Sequence, residues 1–275
     1  MRVAGIMRCM EISAAQNKTE RVTVWANQAI DALPSLSFYP AEKKNGLNAT
    51  VLIFPGGGYV RHADHEGVDV AKAANEYGFD AAVLKCRVSP TRHPEPLNDA
   101  QRAMRMIKVD GEKYGVCSEK VAVLGFSAGG HLASMMMTMW DECTNEEDDL
   151  KDVCARPDAG VLCYAVIDMV GESSHGSSCK ELLGEGASEA ARAAISTHLR
   201  VREDGPAGFV WHTMTDGSVN VKNAMMFGEA CCEKGVAVEM HVFEEGRHGL
   251  GLAEGDESIG KWFDLAMKFL ERHLK

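Results

Sequence analysis

No Cys-x-x-Cys pair occurs among the nine cysteines, and no run of eighteen apolar residues occurs anywhere in the 275-residue chain. The first absence disfavours a structural zinc site and the second a transmembrane helix. An odd number of scattered cysteines, several of them inside apolar runs as Cys163 is in Val161-Leu162-Cys163-Tyr164, suits free thiols in a reducing compartment better than a disulfide framework. Basic residues are also in short supply: 29 against 40 acidic ones leave a net charge of −11, which opposes phosphate backbones and anionic membrane surfaces. Residues 1–10 lack the long apolar stretch and small-residue cleavage site of a secretory signal, so the expectation is a cytoplasmic protein with neither nucleic acid nor membrane as partner.

What is present is a regular alternation. Short β-branched runs (Arg21 to Trp25, Leu36 to Tyr39, Thr50 to Phe54, Asp80 to Leu84, Val121 to Leu124, Gly160 to Ile167, Gly208 to His212, Ala237 to Phe243) are followed from Thr50 onward by stretches of helical spacing. These stretches are Glu66 to Tyr77, Leu97 to Tyr114, Ala128 to Trp140, Val219 to Lys234 and Ser258 to Leu274. Such alternation predicts an α/β fold, a mostly parallel sheet with helices on both faces and function at the carboxyl ends of the strands. One domain over residues 1–275 accommodates it. Two stretches interrupt the pattern: an acidic run from Asp141 to Asp152, read as a solvated loop, and a Gly/Ser/Ala-rich segment around 168–205, long enough for a small cap.

Gly125-Phe126-Ser127-Ala128-Gly129 is a G-x-S-x-G sequence between an apolar strand and an apolar helix, the context in which that pattern forms a nucleophile elbow. Small neighbours permit the crowded turn that pushes the serine hydroxyl outward, and the helix start aims amides at a developing oxyanion. Ser127 is therefore the candidate nucleophile. Its base should follow later in the chain, and of ten histidines His248 fits, in the loop Gly246-Arg247-His248-Gly249 just past the last strand. His131 and His212 fall where core roles are expected. Two carboxylates qualify as the acid that orients the base: Asp216, after the penultimate strand beside the one leading to His248, is favoured, and Asp168 is the alternative. Asp216 could equally cap the helix that follows it. The loop Pro55-Gly56-Gly57-Gly58-Tyr59 can turn backbone amides toward an oxyanion alongside that of Ala128. It lacks the Gly-Lys-Ser/Thr ending of a phosphate loop, and no G-x-G-x-x-G opens a helix, so no nucleotide cofactor is expected. His62-x-x-His65-Glu66 has no third ligand and reads as solvent-exposed polar structure, leaving no metal site.

Several stretches in register resemble the α/β-hydrolases related to hormone-sensitive lipase, and more closely bacterial acetylesterases and acetylxylan esterases. They are Phe54 to Tyr59, Glu66-Gly67, Pro96-Leu97-x-Asp99-Ala100, Gly125 to Ala133, Arg156-Pro157-Asp158, Leu182-Leu183-Gly184, Trp211-His212-Thr213-x-x-Asp216-x-x-Val219 and Glu245-Gly246-x-His248-Gly249. The resemblance implies a triad of Ser127, Asp216 and His248, with the amides of Gly57, Gly58 and Ala128 as oxyanion hole. It further implies a serine esterase that needs no cofactor and deacetylates small-molecule or oligosaccharide esters. Similar proteins often carry Asp-Asp where this chain has Thr215-Asp216 and a proline where it has Asn220, departures that touch substrate preference more than reaction type. The segment Gly171 to Ala194 is poor in bulky apolar residues, which argues against a lipase lid. An amidase or peptidase built on the same triad, or a silent binding protein of the same fold, are the competing readings.

Overall fold

The computed structural model describes residues 19–25, 33–142 and 145–275. Eight strands form one sheet: β1 (Glu20–Thr23), β2 (Ser35–Tyr39), β3 (Ala49–Phe54), β4 (Asp80–Lys85), β5 (Lys120–Phe126), β6 (Ala159–Cys163), β7 (Ala207–Thr213) and β8 (Val238–Phe243). Their spatial order is β1-β2-β4-β3-β5-β6-β7-β8. β2 runs antiparallel to β1 and β4, and every other pairing is parallel. Among the described residues seven α-helices accompany it: α1 (Val68–Glu76), α2 (Glu95–Asp110), α3 (Ser127–Thr138), α4 (Gly176–Leu183), α5 (Glu189–Ala194), α6 (Lys222–Glu233) and α7 (Trp262–His273).

Strand alternation sorts the core into two layers. Along β3, Val51 and Ile53 pack with α1 and α7 on one face, while Leu52 and Phe54 pack with α2 and α3 on the other. In β5, Ala122, Leu124 and Phe126 join the first layer, and Val121 and Val123 the second. Every β3 residue is buried, as an inner strand covered on both faces requires.

The chain reverses direction across the sheet at β3: β4 is laid down on one side and β5 on the other. In open parallel sheets the crevice outside the carboxyl ends at such a reversal is where ligands bind. Here the loop after β3 and the turn after β5 meet there.

Three expectations need correction. The strand read as Gly160 to Ile167 ends at Cys163, because Tyr164 turns to φ +36° and gives its amide to Trp211 O at 2.8 Å. Val166 and Ile167 are apolar because they are buried in the layer shared with α3 and α6. The helix read from Ser258 starts as a 3-10 turn at Ile259 to Lys261 and becomes α-helical only at Trp262. The acidic run is not uniformly solvated: Asp148 is 2% exposed and takes both Arg102 and Arg105. The interruption at 168–205 carries α4, α5 and a 3-10 turn at Thr197 to Arg200.

Candidate active site

Ser127 ends β5 and opens α3 in a left-handed backbone conformation, φ +53°, that costs a non-glycine residue about 1–2 kcal/mol. The surrounding packing holds it there. A Cβ at Gly129 would lie 2.1 Å from the Phe54 carbonyl oxygen, so only glycine lets α3 press against the end of β3. This explains a residue of poor helix propensity in the first turn of a fully buried helix.

His248 Nε2 lies 2.9 Å from Ser127 Oγ, and His248 Nδ1 lies 2.7 Å from Asp216 Oδ2. A carboxylate can only accept, so Nδ1 carries the proton and the lone pair of Nε2 faces the serine hydroxyl. Asp216 Oδ1 accepts from the amides of Ser218 at 2.8 Å and Val219 at 2.9 Å. The helix-capping role weighed for this residue is not filled: α6 begins only at Lys222, after Val221 and without a side-chain cap, and the two amides belong to the loop before it. Burial opposes the Asp216 charge, but the His248 hydrogen bond and then the two amides outweigh it and hold the carboxyl below the usual carboxylate range. The His248 loop is pinned to the end of β7: Thr213 Oγ1 donates to Gly246 O at 2.8 Å, and the Gly246 amide donates to Thr215 Oγ1 at 2.9 Å.

Asp168 is elsewhere engaged. Its carboxylate is buried and accepts from the amides of Val170 and Gly171 at 2.9–3.1 Å, shaping the turn that opens the insertion.

Above the serine the Pro55–Tyr59 loop folds back tightly, Val60 and Arg61 both donating to Gly57 O. Gly57 has φ +128°, and a Cβ there would fall 2.1 Å from Arg61 O. Among the described residues no acceptor takes the amides of Gly57 or Gly58, and the Ala128 amide, in the first turn of α3, has no intrahelical partner. The loop lies directly on the elbow, since a Cβ on Gly56 would stand 3.1 Å from Ser127 Cβ.

Glu66, read from sequence as exposed, is 2% exposed and braces the site. Its Oε2 accepts the Gly56 amide at 2.8 Å, and its Oε1 accepts the Tyr164 hydroxyl at 2.6 Å. Tyr164 Oη in turn accepts the Gly251 amide at 2.9 Å, and the ring meets His248 edge-on at 5.0 Å. Burial, then the Glu66 charge, raises the Tyr164 pKa well above that of a free phenol, so the hydroxyl keeps the proton it donates. One carboxylate therefore ties the loop over the serine to the loop carrying the base. His65 adds a weaker tie, 3.2 Å from Gly249 O, while burial and then Lys85 lower the His62 pKa to about 4.

A second brace runs through α3. His131 Nε2 lies 2.8 Å from Ile195 O, which can only accept, so Nδ1 is left to accept the Tyr59 hydroxyl at 2.8 Å. Burial depresses its pKa to about 4, keeping the ring neutral. His212, also expected in the core, is wholly buried and takes the Thr213 amide at Nδ1.

The sequence model of the BD-FAE family matches residues 36–230, which contain the elbow, the glycine loop and Asp216. The chain belongs to the BD-FAE family. Its fold is that of the α/β hydrolases. The crystal structure of an acetyl ester-xyloside bifunctional hydrolase from Caldicellulosiruptor lactoaceticus superposes with a TM-score of 0.84 at 39% identity, covering 92% of this chain and 96% of that one. Among curated proteins, endo-1,4-beta-xylanase B of Butyrivibrio fibrisolvens is 33% identical over 254 residues, 89% of this chain and 40% of that protein. An acetylxylan esterase of Xylanibacter ruminicola is 26% identical over 230 residues, 80% of this chain and 43% of that protein. The chain thus spans less than half the length of these two curated relatives. This BD-FAE chain contains, among its described residues, no helix long and apolar enough to cross a membrane.

Proposed function

We propose that this BD-FAE chain is a serine carboxylic-ester hydrolase that removes acetyl groups from acetylated sugars and oligosaccharides. The carrying observation is the unbroken hydrogen-bonded series Asp216, His248, Ser127, with its serine on a strained elbow beneath unpartnered backbone amides. His248 Nε2 takes the Ser127 proton as Oγ attacks the ester carbonyl, and Asp216 stabilises the imidazolium that forms. The carbonyl oxygen, now negative, is received by the amides of Gly57, Gly58 and Ala128, each such donor worth about 3 kcal/mol in the transition state. The protonated imidazole then gives its proton to the departing sugar hydroxyl, leaving an acetyl-serine. Water, deprotonated by the same nitrogen, releases acetate by the reverse sequence. The chemistry closes with these residues and water alone.

The acyl and sugar preferences draw on two supports. Relatives bear the names acetylxylan esterase and acetyl ester-xyloside hydrolase. Within the segment 168–205, which we assign as a small cap, the stretch from Gly171 to Ala194 is poor in bulky apolar side chains, so a long acyl chain gains little there of the roughly 0.8 kcal/mol available per buried CH₂. Catalytic efficiency should peak at acetyl and fall beyond about four carbons.

The deciding experiment pairs a fluorophosphonate probe with acetylated xylo-oligosaccharides. Native protein should be labelled, heat-denatured protein and Ser127→Ala should not, and turnover in Ser127→Ala should drop by at least about four orders of magnitude. Near-normal turnover in that variant would sink the assignment. An anilide of acetic acid, tested beside the ester, separates the amidase reading: it should be cleaved far more slowly.

A further inference from the structure

In the segment between β6 and β7 lies an open hollow of about 370 Å³, walled by α4, α5 and the glycine-rich turn joining them. Met169, Cys179, Lys180, Glu185 and Arg192 line it. Its charges do not balance. Lys180 is matched by Glu185 at 2.6 Å, but Arg192 has a buried Nε without a hydrogen-bond partner and no carboxylate partner among the described residues. Arg92 packs its guanidinium against the wall at Gly184, where a Cβ would lie 2.6 Å from Nη1, and after Lys180 its charge helps to hold the Glu185 carboxyl below the usual carboxylate range.

Arg87, Arg102, Arg105, Arg200, Arg202 and Arg272 sit in ion pairs, in a chain with eleven more acidic than basic side chains, and Arg192 differs from them in its buried Nε without a hydrogen-bond partner. A buried guanidinium N–H left without an acceptor is costly, and a planar carboxylate, accepting two parallel N–H bonds, is the group that matches its fork.

The hollow also has a position. Ser174 and Gly176, which line it, flank His175, whose Nε2 lies 3.5 Å from the Oγ of Ser218, the residue whose amide holds Asp216. A sugar whose acetyl group reaches Ser127 can therefore extend toward the hollow from the triad's acid side. We infer that the hollow is a subsite for a carboxylate on the sugar portion of the substrate, a uronic acid unit of an acetylated oligosaccharide, gripped by Arg192 with Arg92 adding positive charge at the wall. The inference rests on the esterase reading of the triad.

Two measurements test it separately from that reading. In the first, acetylated xylo-oligosaccharides of equal length, with and without a uronic acid branch, are compared kinetically. The acidic substrate should show a KM about tenfold lower at similar kcat, the scale of one charge-assisted pair. Arg192→Met should abolish the difference while leaving kcat/KM for p-nitrophenyl acetate unchanged. In the second, the deacetylated acidic oligosaccharide is titrated into the wild-type protein by calorimetry, where no catalysis is involved. It should bind, bind less tightly at 0.5 M salt, and not bind to Arg192→Met. If Arg192→Met is unfolded by circular dichroism, Arg92→Met serves instead, with about a threefold loss expected.

Equal KM values for the two substrates without calorimetric binding overturn the subsite. Undiminished binding to folded Arg192→Met overturns its location. Binding without hydrolysis of either substrate overturns the esterase reading and leaves the subsite standing.

Discussion

Two helices of the molecule could hardly be built more differently. In α3, which begins with Ser127, all twelve residues are buried; in α5, within the insertion, none is. The first is locked by a glycine contact with β3 and by the His131 bridge from Tyr59 to Ile195. The second is short and half exposed, capped at its start by Ser188 Oγ, which accepts the Ala191 amide at 3.2 Å, and at its end by Ser196 Oγ, which donates to Arg192 O at 2.9 Å. Reacting groups must be held to a fraction of an ångström, whereas a surface that meets a variable ligand tolerates movement. On the proposed function, the contrast separates a rigid half that carries the chemistry from an adaptable half that would meet the sugar.

The largest expected effect falls within the rigid half. Asp216→Asn should cut turnover by about three to four orders of magnitude, because the amide offers His248 Nδ1 a donor as readily as an acceptor and no longer stabilises its cation. Asp168→Asn, which alters a carboxylate bonded only to backbone amides of the insertion, should reduce thermal stability and leave turnover within about tenfold. Steady-state kinetics on p-nitrophenyl acetate decides between them, and the reverse order would move the acid to Asp168.

A smaller loss is expected from Glu66→Gln, which touches neither substrate nor triad. Its new NH₂ group must face either the Gly56 amide, donor against donor, or the Tyr164 hydroxyl, whose own proton then loses its acceptor, a buried loss of about 1–3 kcal/mol in either case. kcat should fall about ten- to a hundredfold with KM little changed, since the loop over the serine and the loop of the base lose their common anchor. An unchanged kcat would mean that each loop holds itself.

The rigid half also carries a pH signature. His131 and His62 stay neutral in the folded protein down to about pH 4, whereas an unfolded histidine takes up its proton near 6.5. Between those values the unfolded chain binds more protons, so stability is full above about pH 6.5 and is lost as pH falls toward 4, by up to about 1.4 kcal/mol per unit for each ring. The urea midpoint should therefore fall steadily from pH 7 to 4.5. A midpoint flat across that range would show that neither ring is held neutral by burial.

The smallest effect belongs to the adaptable half. Ser188→Ala removes the cap at the start of α5 and should cost about 0.5–1 kcal/mol of local stability, visible as faster amide exchange in α5. Turnover of p-nitrophenyl acetate should not change. If it does, the two halves are coupled and the contrast fails.

Ser127 and His248, which we propose as nucleophile and base, stood out in the sequence because each sits in a short local pattern whose geometry is set by its neighbours: glycines around a turn, a loop just past a strand. The same holds for the alternating strands and helices and for the glycines over the serine. Asp216 was favoured in the sequence over Asp168 without being decided. Glu66 was misread because nothing local marks it; its partner Tyr164 is 98 residues away, and the only sign was its place in the Glu66-Gly67 stretch shared with similar esterases. The over-long strand through Ile167 failed for a related reason, since apolar residues buried beneath the insertion carry the same periodicity as those in a sheet. The buried Asp148 likewise sat in a run whose composition is that of a solvated loop.

Local order in the chain, then, determined the element sequence, the elbow and the candidate serine and histidine, since backbone conformation and hydrophobic period act over a few residues. Folding in three dimensions decided which carboxylate meets His248, which tautomer the ring adopts, how Glu66 and His131 clamp the loops, and where Arg192 keeps a buried Nε without a hydrogen-bond partner. Those outcomes depend on distances between groups tens to more than a hundred residues apart, and on the burial that makes an unpaired polar atom costly.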